Sequence, residues 1–309
     1  MSVKVFIDGS SGTTGLRIAD RLAARPDIEL LSISAEGRKD VNERAKVINS
    51  ADLAFLCLPD AASKEVMPLL RPDVKVLDTS TAFRTDTAWD YGFPELKGQK
   101  EKIKNSYRVA VPGCYASGFI SIARPLVELG LAPADYPFSC TGISGYSGGG
   151  KKMIAQYQAP DRSPLLDAPR QYGLGQSHKH LKEMQAVCGL QSPPVFCPIV
   201  SDFYSGMVVT VPLFRQDLAG GKTADDIRAV YAAQYQGPVV QYKETMDEDG
   251  FLSGAGLSGK DAMEITVCGN EDRILLIARY DNLGKGASGA AVQCLNLVLG
   301  VEPTTGLEL

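Results

Sequence analysis

The feature that most constrains this chain is a short apolar run followed at once by a glycine-rich segment. Val3–Ile7 is the run, Gly9-Ser-Ser-Gly-Thr-Thr-Gly15 follows it, and a helical pattern begins at Leu16. Glycines at such a turn let the backbone approach a pyrophosphate, and the helix N-terminus offers it unpaired N–H groups. The spacing G-x-x-G-x-x-G differs from the usual G-x-G-x-x-G, and a plain glycine turn is the alternative, but the strand–turn–helix context favours nucleotide binding.

The first 112 residues alternate short apolar runs with helical patterns. The runs are mostly continuously apolar, as in strands buried on both faces of a parallel sheet. They are Val3–Ile7, Ile28–Ile33, Leu53–Leu58, Val74–Leu77 and Val109–Val111, and the helical patterns include Leu16–Ala24 and Ala61–Leu70. This order predicts an α/β fold with a doubly wound dinucleotide-binding (Rossmann) domain.

After about residue 113 the pattern changes. The predicted strands are longer, and several alternate in the manner of an antiparallel sheet with one solvated face. They are Phe138–Ser144, Val195–Val200, Met207–Leu213, Ala262–Cys268 and Arg273–Tyr280, with helices at Ala116–Leu129, His178–Cys188, Ala224–Tyr235 and Ala287–Leu299. We expect an α+β catalytic domain with a mixed or antiparallel sheet at 114–284, inserted into a first domain formed by 1–113 and 285–309.

The composition excludes several classes of protein. A chain of 309 residues is more often two domains than one. Lys and Arg total 32 against 36 Asp and Glu, and this unpatterned balance argues against nucleic acid or a membrane surface as partner. No apolar run reaches the roughly 18 residues that span a bilayer, and the first residues resemble a strand rather than a signal peptide. Seven scattered cysteines without a C-x-x-C pair predict a cytoplasmic protein without disulfides, and the sequence shows no metal-ligand pattern.

The end of the second predicted strand bears on the choice of cofactor. In NAD-specific domains a carboxylate stands there and binds the ribose 2′-hydroxyl. Here Ser34 stands at the tip, with Arg38 and Lys39 close behind. A hydroxyl and a guanidinium suit a 2′-phosphate, so NADP is favoured over NAD. Glu36 leaves NAD open, and a solvated charged turn is the remaining alternative.

Cys114 stands apart from the other six cysteines. It lies in Val111-Pro-Gly-Cys-Tyr-Ala-Ser117, between a predicted strand and a long helical pattern. A thiol at a helix N-terminus meets the positive end of the helix dipole, which favours the thiolate. Most cysteines are inert core residues, but this position in a chain with a dinucleotide-binding pattern predicts a catalytic nucleophile.

The two histidines of the chain lie together in Ser177-His-Lys-His180, at the start of a predicted helix that Ser177 would cap. A thiolate nucleophile requires an acid or base nearby. Residues two apart on a helix point about 200° apart, so in a regular turn both rings cannot face one thiol. We therefore expect one histidine to act as acid/base and the other to bind substrate or to be structural.

Six segments carry a family resemblance: Gly9–Gly15, Asp78–Arg84, Val111–Ser117, Ser144–Lys151, His178–His180 and Asp281–Gln293. In this order they resemble the shorter (type 2) N-acetyl-γ-glutamyl-phosphate reductases of arginine biosynthesis. The resemblance covers nearly the whole chain, and the combination is specific where each segment alone is not. The family shares its architecture with aspartate-semialdehyde and glyceraldehyde-3-phosphate dehydrogenases.

The resemblance implies an oxidoreductase that reduces an acyl phosphate with NADPH through a thioester. Cys114 would attack the γ-carbonyl of N-acetyl-γ-glutamyl phosphate and expel phosphate, and hydride transfer would then give N-acetylglutamate 5-semialdehyde. His180 would give and take the proton of the hemithioacetal oxygen. The candidate substrate-binding residues are His178, Arg84 as a bidentate clamp, and Ser144 and Gly145 as part of an anion nest. A surface arginine is the alternative for Arg84, and a flexible hairpin loop is the alternative for the segment Ser144–Lys151.

The resemblance and the turn together give the candidate cofactor contacts. They are Gly9, Ser11, Gly12, Thr13, Thr14, Gly15, Ser34, Arg38, Pro59, Ser80 and Asn282. We expect a small-molecule substrate and a homodimer or homotetramer. Two other hypotheses stay open: an aspartate-semialdehyde dehydrogenase-like enzyme, and a non-catalytic dinucleotide-binding regulator in which Cys114 is structural.

Overall fold

The computed structural model describes residues 2–309, which form two compact units. The N-terminal unit comprises the chain up to Pro94 together with Gly98–Pro112 and Ala287–Leu307. The central unit comprises Glu95–Lys97, Gly113–Gly286 and Glu308–Leu309. The main crossings of the chain therefore fall at 112/113 and 286/287, whereas the boundaries expected from the sequence are 113/114 and 284/285.

The N-terminal unit is built on a six-stranded sheet with the order β2-β1-β3-β4-β6-β5. Every pairing between neighbouring strands is parallel, which confirms the predicted doubly wound domain. The strands are β1 (Val3–Asp8), β2 (Ile28–Leu31), β3 (Leu53–Leu56), β4 (Lys75–Asp78), β5 (Asp90–Tyr91) and β6 (Arg108–Ala110). The helices are α1 (Thr13–Ala23), α2 (Val41–Ser50), α3 (Asp60–Val66), α4 (Gln99–Lys104) and α9 (Gly289–Leu299).

Helices cover both faces of this sheet, which explains the continuously apolar strands. On one face Ile7 packs with Ile18 of α1 and Leu295 of α9. On the other face Phe6, the neighbour of Ile7 in β1, packs with Ile48 of α2. Because successive side chains of a strand point to opposite faces, each face needs its own apolar set.

The strand order reverses at β1, whose two neighbours are β2 and β3. In open α/β sheets the loops at the carboxyl ends of two such strands diverge and leave a crevice that holds ligands. The turn Gly9–Gly15 follows β1 directly, so the fold places this turn at the crevice.

The central unit is built on a seven-stranded mixed sheet with the order β11-β12-β13-β10-β7-β9-β8. Two of its pairings are parallel and the other four are antiparallel, as predicted for the second domain. The strands are β7 (Ser139–Gly145), β8 (Arg170–Gln171), β9 (Val195–Ser201), β10 (Met207–Phe214), β11 (Val240–Tyr242), β12 (Met263–Gly269) and β13 (Arg273–Tyr280). The helices are α5 (Cys114–Glu128), α6 (Gly150–Gln158), α7 (His180–Cys188) and α8 (Ala224–Gln234).

The two faces of the mixed sheet differ. Helix α5 packs on β10 and β13, with α7 and α8 beside it. On the opposite face, large apolar side chains are exposed: 39% of Ile143, 58% of Val195, 54% of Phe214 and 38% of Leu275. We call these four residues the outer-face patch. Among residues 2–309, no helix is both long and apolar enough to cross a membrane.

Candidate active site

A cavity of about 300 Å³ in the central unit holds the predicted nucleophile and both histidines. Its size suits a small metabolite. It is lined by Cys114, Tyr115, Ser144, Gly145, Gly148, Gly149, Met153, Tyr172, His178, Lys179, His180 and Val200. Five of the predicted site residues, which are far apart in the sequence, therefore line one cavity: Cys114, Ser144, Gly145, His178 and His180.

Cys114 is the first residue of α5. Gly113, with extended backbone angles, precedes it as the N-cap and makes no side-chain hydrogen bond to the helix end. The thiol therefore lies where the helix dipole favours an anion. Its backbone is held on both sides, since Gly113 N donates to Glu183 Oε1 at 2.8 Å and Cys114 O accepts from the Tyr280 hydroxyl at 2.6 Å.

The structure corrects the expected geometry of the two histidines. Helix α7 begins at His180, with Lys179 rather than Ser177 as its N-cap, and His178 precedes the helix. The regular turn assumed from the sequence is absent, so the two rings need not diverge. Their centroids lie 4.7 Å apart at an interplanar angle of 78°, and both rings line the cavity with Cys114.

His178 is neutral at physiological pH. Its Nδ1 accepts a hydrogen bond from His180 N at 3.2 Å, so the proton of the neutral ring lies on Nε2. Burial, with a smaller contribution from the Lys179 charge, lowers the pKa of His178 to about 4. The ring is therefore a fixed hydrogen-bond donor rather than a cation near pH 7.

The glycine segment after β7 forms a helical wall, neither an open loop nor a hairpin. Ser144 and Gly145 end β7, a 3₁₀ turn spans Tyr146–Gly149, and α6 follows from Gly150. A side chain at Gly145 would lie 2.7 Å from the carbonyl oxygens of Phe203 and Tyr204, so only glycine fits there. This close approach holds the end of β7 against the neighbouring loop.

Sequence reasoning did not single out three polar residues of the cavity. Tyr115 follows the nucleophile, and its ring contacts both histidines. Burial raises the pKa of Tyr115 well above its ordinary range, so its hydroxyl stays protonated. Lys179 also lines the cavity, and its position between the two histidines in the sequence could have identified it. Tyr172 comes from the segment before α7, and nothing in its sequence context marked it.

The predicted pyrophosphate turn has the backbone that a nucleotide requires. Gly9 has φ +87°, and a Cβ there would overlap the carbonyl oxygen of Cys57. A Cβ at Gly15 would overlap the carbonyl oxygen of Gly9. Gly12 is the N-cap of α1 without a side-chain hydrogen bond, and Thr13 Oγ1 is buried without a partner among residues 2–309. Unused donors at a helix N-terminus fit the phosphates of a dinucleotide.

A second cavity, of about 170 Å³, joins this turn to the end of β2. Ser10 of the turn, Ile33 and Arg38 all line it. Ser34 is exposed, and its Oγ accepts a hydrogen bond from Gly37 N at 3.0 Å, which shapes the loop that carries Arg38. The arginine thus lies beside both the glycine turn and the end of β2.

The remaining predicted cofactor contacts are placed as follows. Ser11 is exposed in the turn, and Thr14 lies in the first turn of α1. Pro59 precedes α3 as its N-cap residue, after β3. Ser80 is buried and donates to Asp78 Oδ2 at 2.5 Å. In the central unit Asn282 is buried, where its amide donates to Ser147 Oγ and accepts from Gly206 N.

Arg84 does not line the central cavity. It lies in the N-terminal unit, 8% exposed, where Nε donates to Val111 O and Nη2 donates to Thr79 O, each at 2.9 Å. The first of these contacts holds Val111, two residues before Gly113. The expected role of Arg84 as a substrate clamp remains a prediction. Within residues 2–309, no cluster of His, Cys, Asp or Glu could hold a metal ion.

Comparison with known proteins adds two family matches. The family model "Semialdehyde dehydrogenase, NAD binding domain" matches residues 4–106. The model "Semialdehyde dehydrogenase, dimerisation domain" matches residues 114–282, more than half of the chain.

Curated relatives are similar over nearly the full length. "N-acetyl-gamma-glutamyl-phosphate reductase 2" from Nostoc sp. is 47% identical over 98% of this chain and 99% of its own. Two proteins named "N-acetyl-gamma-glutamyl-phosphate reductase" are each 46% identical over 97% of this chain. The match covers 99% of the protein from Rhizobium leguminosarum bv. trifolii and 100% of the protein from Brucella ovis.

Solved structures share the fold. Aspartate semialdehyde dehydrogenase II from Vibrio cholerae superposes with a TM-score of 0.68 at 16% identity, covering 97% of this chain and 99% of its own. Aspartate semialdehyde dehydrogenase from Francisella tularensis gives 0.70 at 15% identity, covering 96% and 100%. At such identities the likeness concerns architecture alone.

Proposed function

The chain belongs to the N-acetyl-γ-glutamyl-phosphate reductases, within the semialdehyde dehydrogenase family, and we propose that it reduces N-acetyl-γ-glutamyl phosphate to N-acetylglutamate 5-semialdehyde and phosphate with NADPH. The observation that carries this proposal is a thiol at a helix N-terminus in one cavity with two histidines. Acyl transfer to a thiolate needs this combination of an activated nucleophile and a proton carrier.

The reaction begins at the Cys114 sulfur. The thiolate attacks the γ-carbonyl carbon, the bond from that carbon to the phosphate oxygen breaks, and phosphate leaves with the electron pair. A thioester on Cys114 remains, and its carbonyl is electrophilic enough to accept hydride, which NADPH supplies when bound. The resulting hemithioacetal loses its proton, the C–S bond breaks, and the aldehyde leaves with the thiolate restored.

The two histidines have different proposed roles. We assign the acid/base role to His180, which gives a proton to the hemithioacetal oxygen as hydride arrives and takes it back as the aldehyde forms. His178 is neutral and presents Nε2–H, so it suits a hydrogen bond to a carbonyl or carboxylate of the substrate. Ser144 and Gly145 shape the same wall, and Lys179 adds a positive charge for an anionic substrate. Arg84 is the second proposed anion contact.

The proposed cofactor is NADP rather than NAD. The turn would hold the pyrophosphate through Gly9, Ser11, Gly12, Thr13, Thr14 and Gly15. Arg38, exposed beside Ser10 and the end of β2, would pair with the 2′-phosphate, and Ser34 orders its loop. Pro59 and Ser80, at the ends of β3 and β4, and Asn282 complete the proposed contacts.

We also propose a homodimer or homotetramer in the cytoplasm. The matched dimerisation domain spans the mixed sheet, whose outer-face patch leaves apolar area for a second copy to cover. None of the seven cysteines forms a disulfide within residues 2–309, as in a reducing compartment. No nucleic acid or membrane partner is proposed.

One assay tests the substrate. In the reverse direction the enzyme should reduce NADP⁺ with N-acetylglutamate 5-semialdehyde, and it should turn over repeatedly only when phosphate is present. Aspartate semialdehyde is the matched control, since it lacks one methylene and the acetyl group. Faster turnover of aspartate semialdehyde would contradict the proposal and favour the related enzyme. No turnover of either aldehyde would favour a non-catalytic regulator.

A further inference from the structure

A tyrosine hydroxyl lies inside the first turn of helix α5. The Tyr280 hydroxyl donates to Cys114 O at 2.6 Å and accepts from Gly118 N at 3.1 Å. An α-helix pairs the carbonyl of residue i with the N–H of residue i+4, and Cys114 and Gly118 are such a pair. Tyr280 therefore contacts both members of the second hydrogen-bond pair of this helix, which follows the pair of Gly113 O and Ser117 N.

The fold admits this hydroxyl only because residue 118 is glycine. A Cβ at Gly118 would lie 2.5 Å from the Tyr280 oxygen and 2.8 Å from Val209. A helix interior ordinarily loses stability at glycine, by about 1 kcal/mol relative to alanine. Gly118 therefore lowers the intrinsic stability of the helix but leaves room for the Tyr280 hydroxyl in its first turn.

Tyr280 itself is rigidly held. It ends β13, pairs in register with Met207 of β10 and Met263 of β12, and is completely buried. Burial, with the nearby Cys114 thiol, raises the pKa of Tyr280 well above its ordinary range. The hydroxyl thus keeps its proton and stays a donor to Cys114 O throughout the physiological range.

Two further contacts restrain the backbone around Cys114. Gly113 N, just before the nucleophile, donates to the buried Glu183 carboxylate at 2.8 Å. A Cβ built at Gly286 would lie 3.1 Å from Cys114 Cβ, so the turn that contains Gly286 packs closely against the cysteine. With the Tyr280 contact, the backbone before, at and beside the sulfur is fixed.

We propose that Tyr280 is a positioning residue, whose hydroxyl sets the direction of the Cys114 Cα–Cβ bond and thereby aims the sulfur at the substrate carbonyl. The inference rests on the proposed role of Cys114 as nucleophile. Tyr280 touches no reacting atom in this account and acts only through the cysteine backbone. Covalent catalysis depends on the orientation of the nucleophile, since a misplacement of the reacting atoms by about 1 Å can lower the rate roughly 100-fold.

The test is Tyr280→Phe, which removes one oxygen and leaves the ring. We expect kcat to fall roughly 10- to 100-fold. KM, the dissociation constant of NADPH and the pH profile of Cys114 alkylation by iodoacetamide should stay unchanged, because only the direction of the thiol is altered. Tyr235→Phe is the matched control. Its buried hydroxyl also donates to α5, at Ser121 O, far along the helix from the cysteine.

Equal falls of kcat in the two variants, or an unchanged kcat in Tyr280→Phe, would overturn the proposal. If Tyr280→Phe does not fold, 4-aminophenylalanine and 4-methylphenylalanine at position 280 replace it. Both fill the space of the hydroxyl, but only the first donates, so only the first should keep kcat near that of the wild type. Equal activity would overturn the role. Cys114→Ser separates the two ideas: an active Cys114→Ser enzyme defeats the proposed function, whereas normal Tyr280 variants beside an inactive Cys114→Ser defeat only the positioning role.

Discussion

At the scale of residues, the site combines one thiol with two unlike imidazoles. His178 is held by a hydrogen bond from His180 N to its Nδ1, and burial keeps it neutral. His180 is the first residue of α7, and Glu183, three positions on, accepts from Gly113 N. Helix α7 therefore carries both a proposed proton carrier and a contact that holds the nucleophile's turn. The two histidines should respond differently to substitution.

His180→Asn should lower kcat by about 10²–10⁴, the usual effect of losing a general acid–base group. KM should change little, because the lost interaction matters mainly in the transition state. His178→Asn should mainly raise KM. Steady-state kinetics of both variants decide the assignment. A large loss of kcat in His178→Asn beside a near-normal His180→Asn would reverse the two roles.

The lowered pKa of His178 also predicts a pH dependence of stability. The unfolded chain binds a proton on this ring near its ordinary pKa of 6.5, whereas burial delays protonation in the folded state to about 4. The unfolded state therefore binds more protons between these values, and the contribution of His178 to folding is lost as pH falls through that window.

Urea unfolding of wild type and His178→Asn at several pH values between 7 and about 4 measures this loss. The free energy of unfolding of the wild type should fall relative to that of the variant as pH decreases. Parallel curves over the whole window would show that the ring titrates alike in both states.

At the scale of elements, the sequence predicted the strands well where burial imposes one pattern. The continuously apolar β1 and β3 and the long β13 lie where their patterns indicated. The two-residue strand β5 has too few residues to show a period. Helix α6 begins in a run of glycines whose composition favours a loop, so tertiary contacts decide its structure.

The start of α7 shows the same limit at the site. Ser177 is a good N-cap by residue type, yet the helix begins three residues later. His178 instead packs against Tyr115 and Phe196, and these contacts come from α5 and β9. Local preference could identify the residues of the site, but only their distant neighbours determine that both rings enter one cavity.

The loop after β2 carries the prediction for cofactor choice. Arg38→Ala should raise KM for NADPH roughly 10- to 100-fold, since a charge-assisted hydrogen bond contributes about 1.5–3 kcal/mol. KM for NADH should hardly change. Lys39→Ala is the matched control, because Lys39 is exposed in the same loop but does not line the cavity beside Ser10. Equal effects of Arg38→Ala on both cofactors would contradict a 2′-phosphate contact.

At the scale of the whole molecule, the outer-face patch determines the expected assembly. Ile143 pairs in register with the half-buried Ile199 of β9, so the apolar surface continues onto that strand, whereas its partner on β10, Val208, is buried. Self-association would remove this surface from water, at roughly 25 cal/mol for each Å² of apolar area. Homo-oligomers commonly use such self-complementary surfaces.

Ile143→Lys with Leu275→Lys should shift the oligomer toward monomer, because the interface would then bury unpaired charges. Sedimentation velocity over a range of concentrations measures the shift. Leu174→Lys is the control, since Leu174 is 75% exposed on a different segment and its replacement should leave the mass unchanged. A double variant that sediments like the wild type would remove the patch from the interface.

The central claim, that Cys114 carries the acyl group, is tested most directly without phosphate. Enzyme mixed with N-acetylglutamate 5-semialdehyde and NADP⁺ should release one NADPH per active site in a rapid burst and then stop, because no phosphate is present to cleave the thioester. Mass spectrometry should find the acyl group on the peptide that contains Cys114, and Cys114→Ser should give no burst. The absence of a burst in the wild type, or an acyl group on any other residue, would contradict the account.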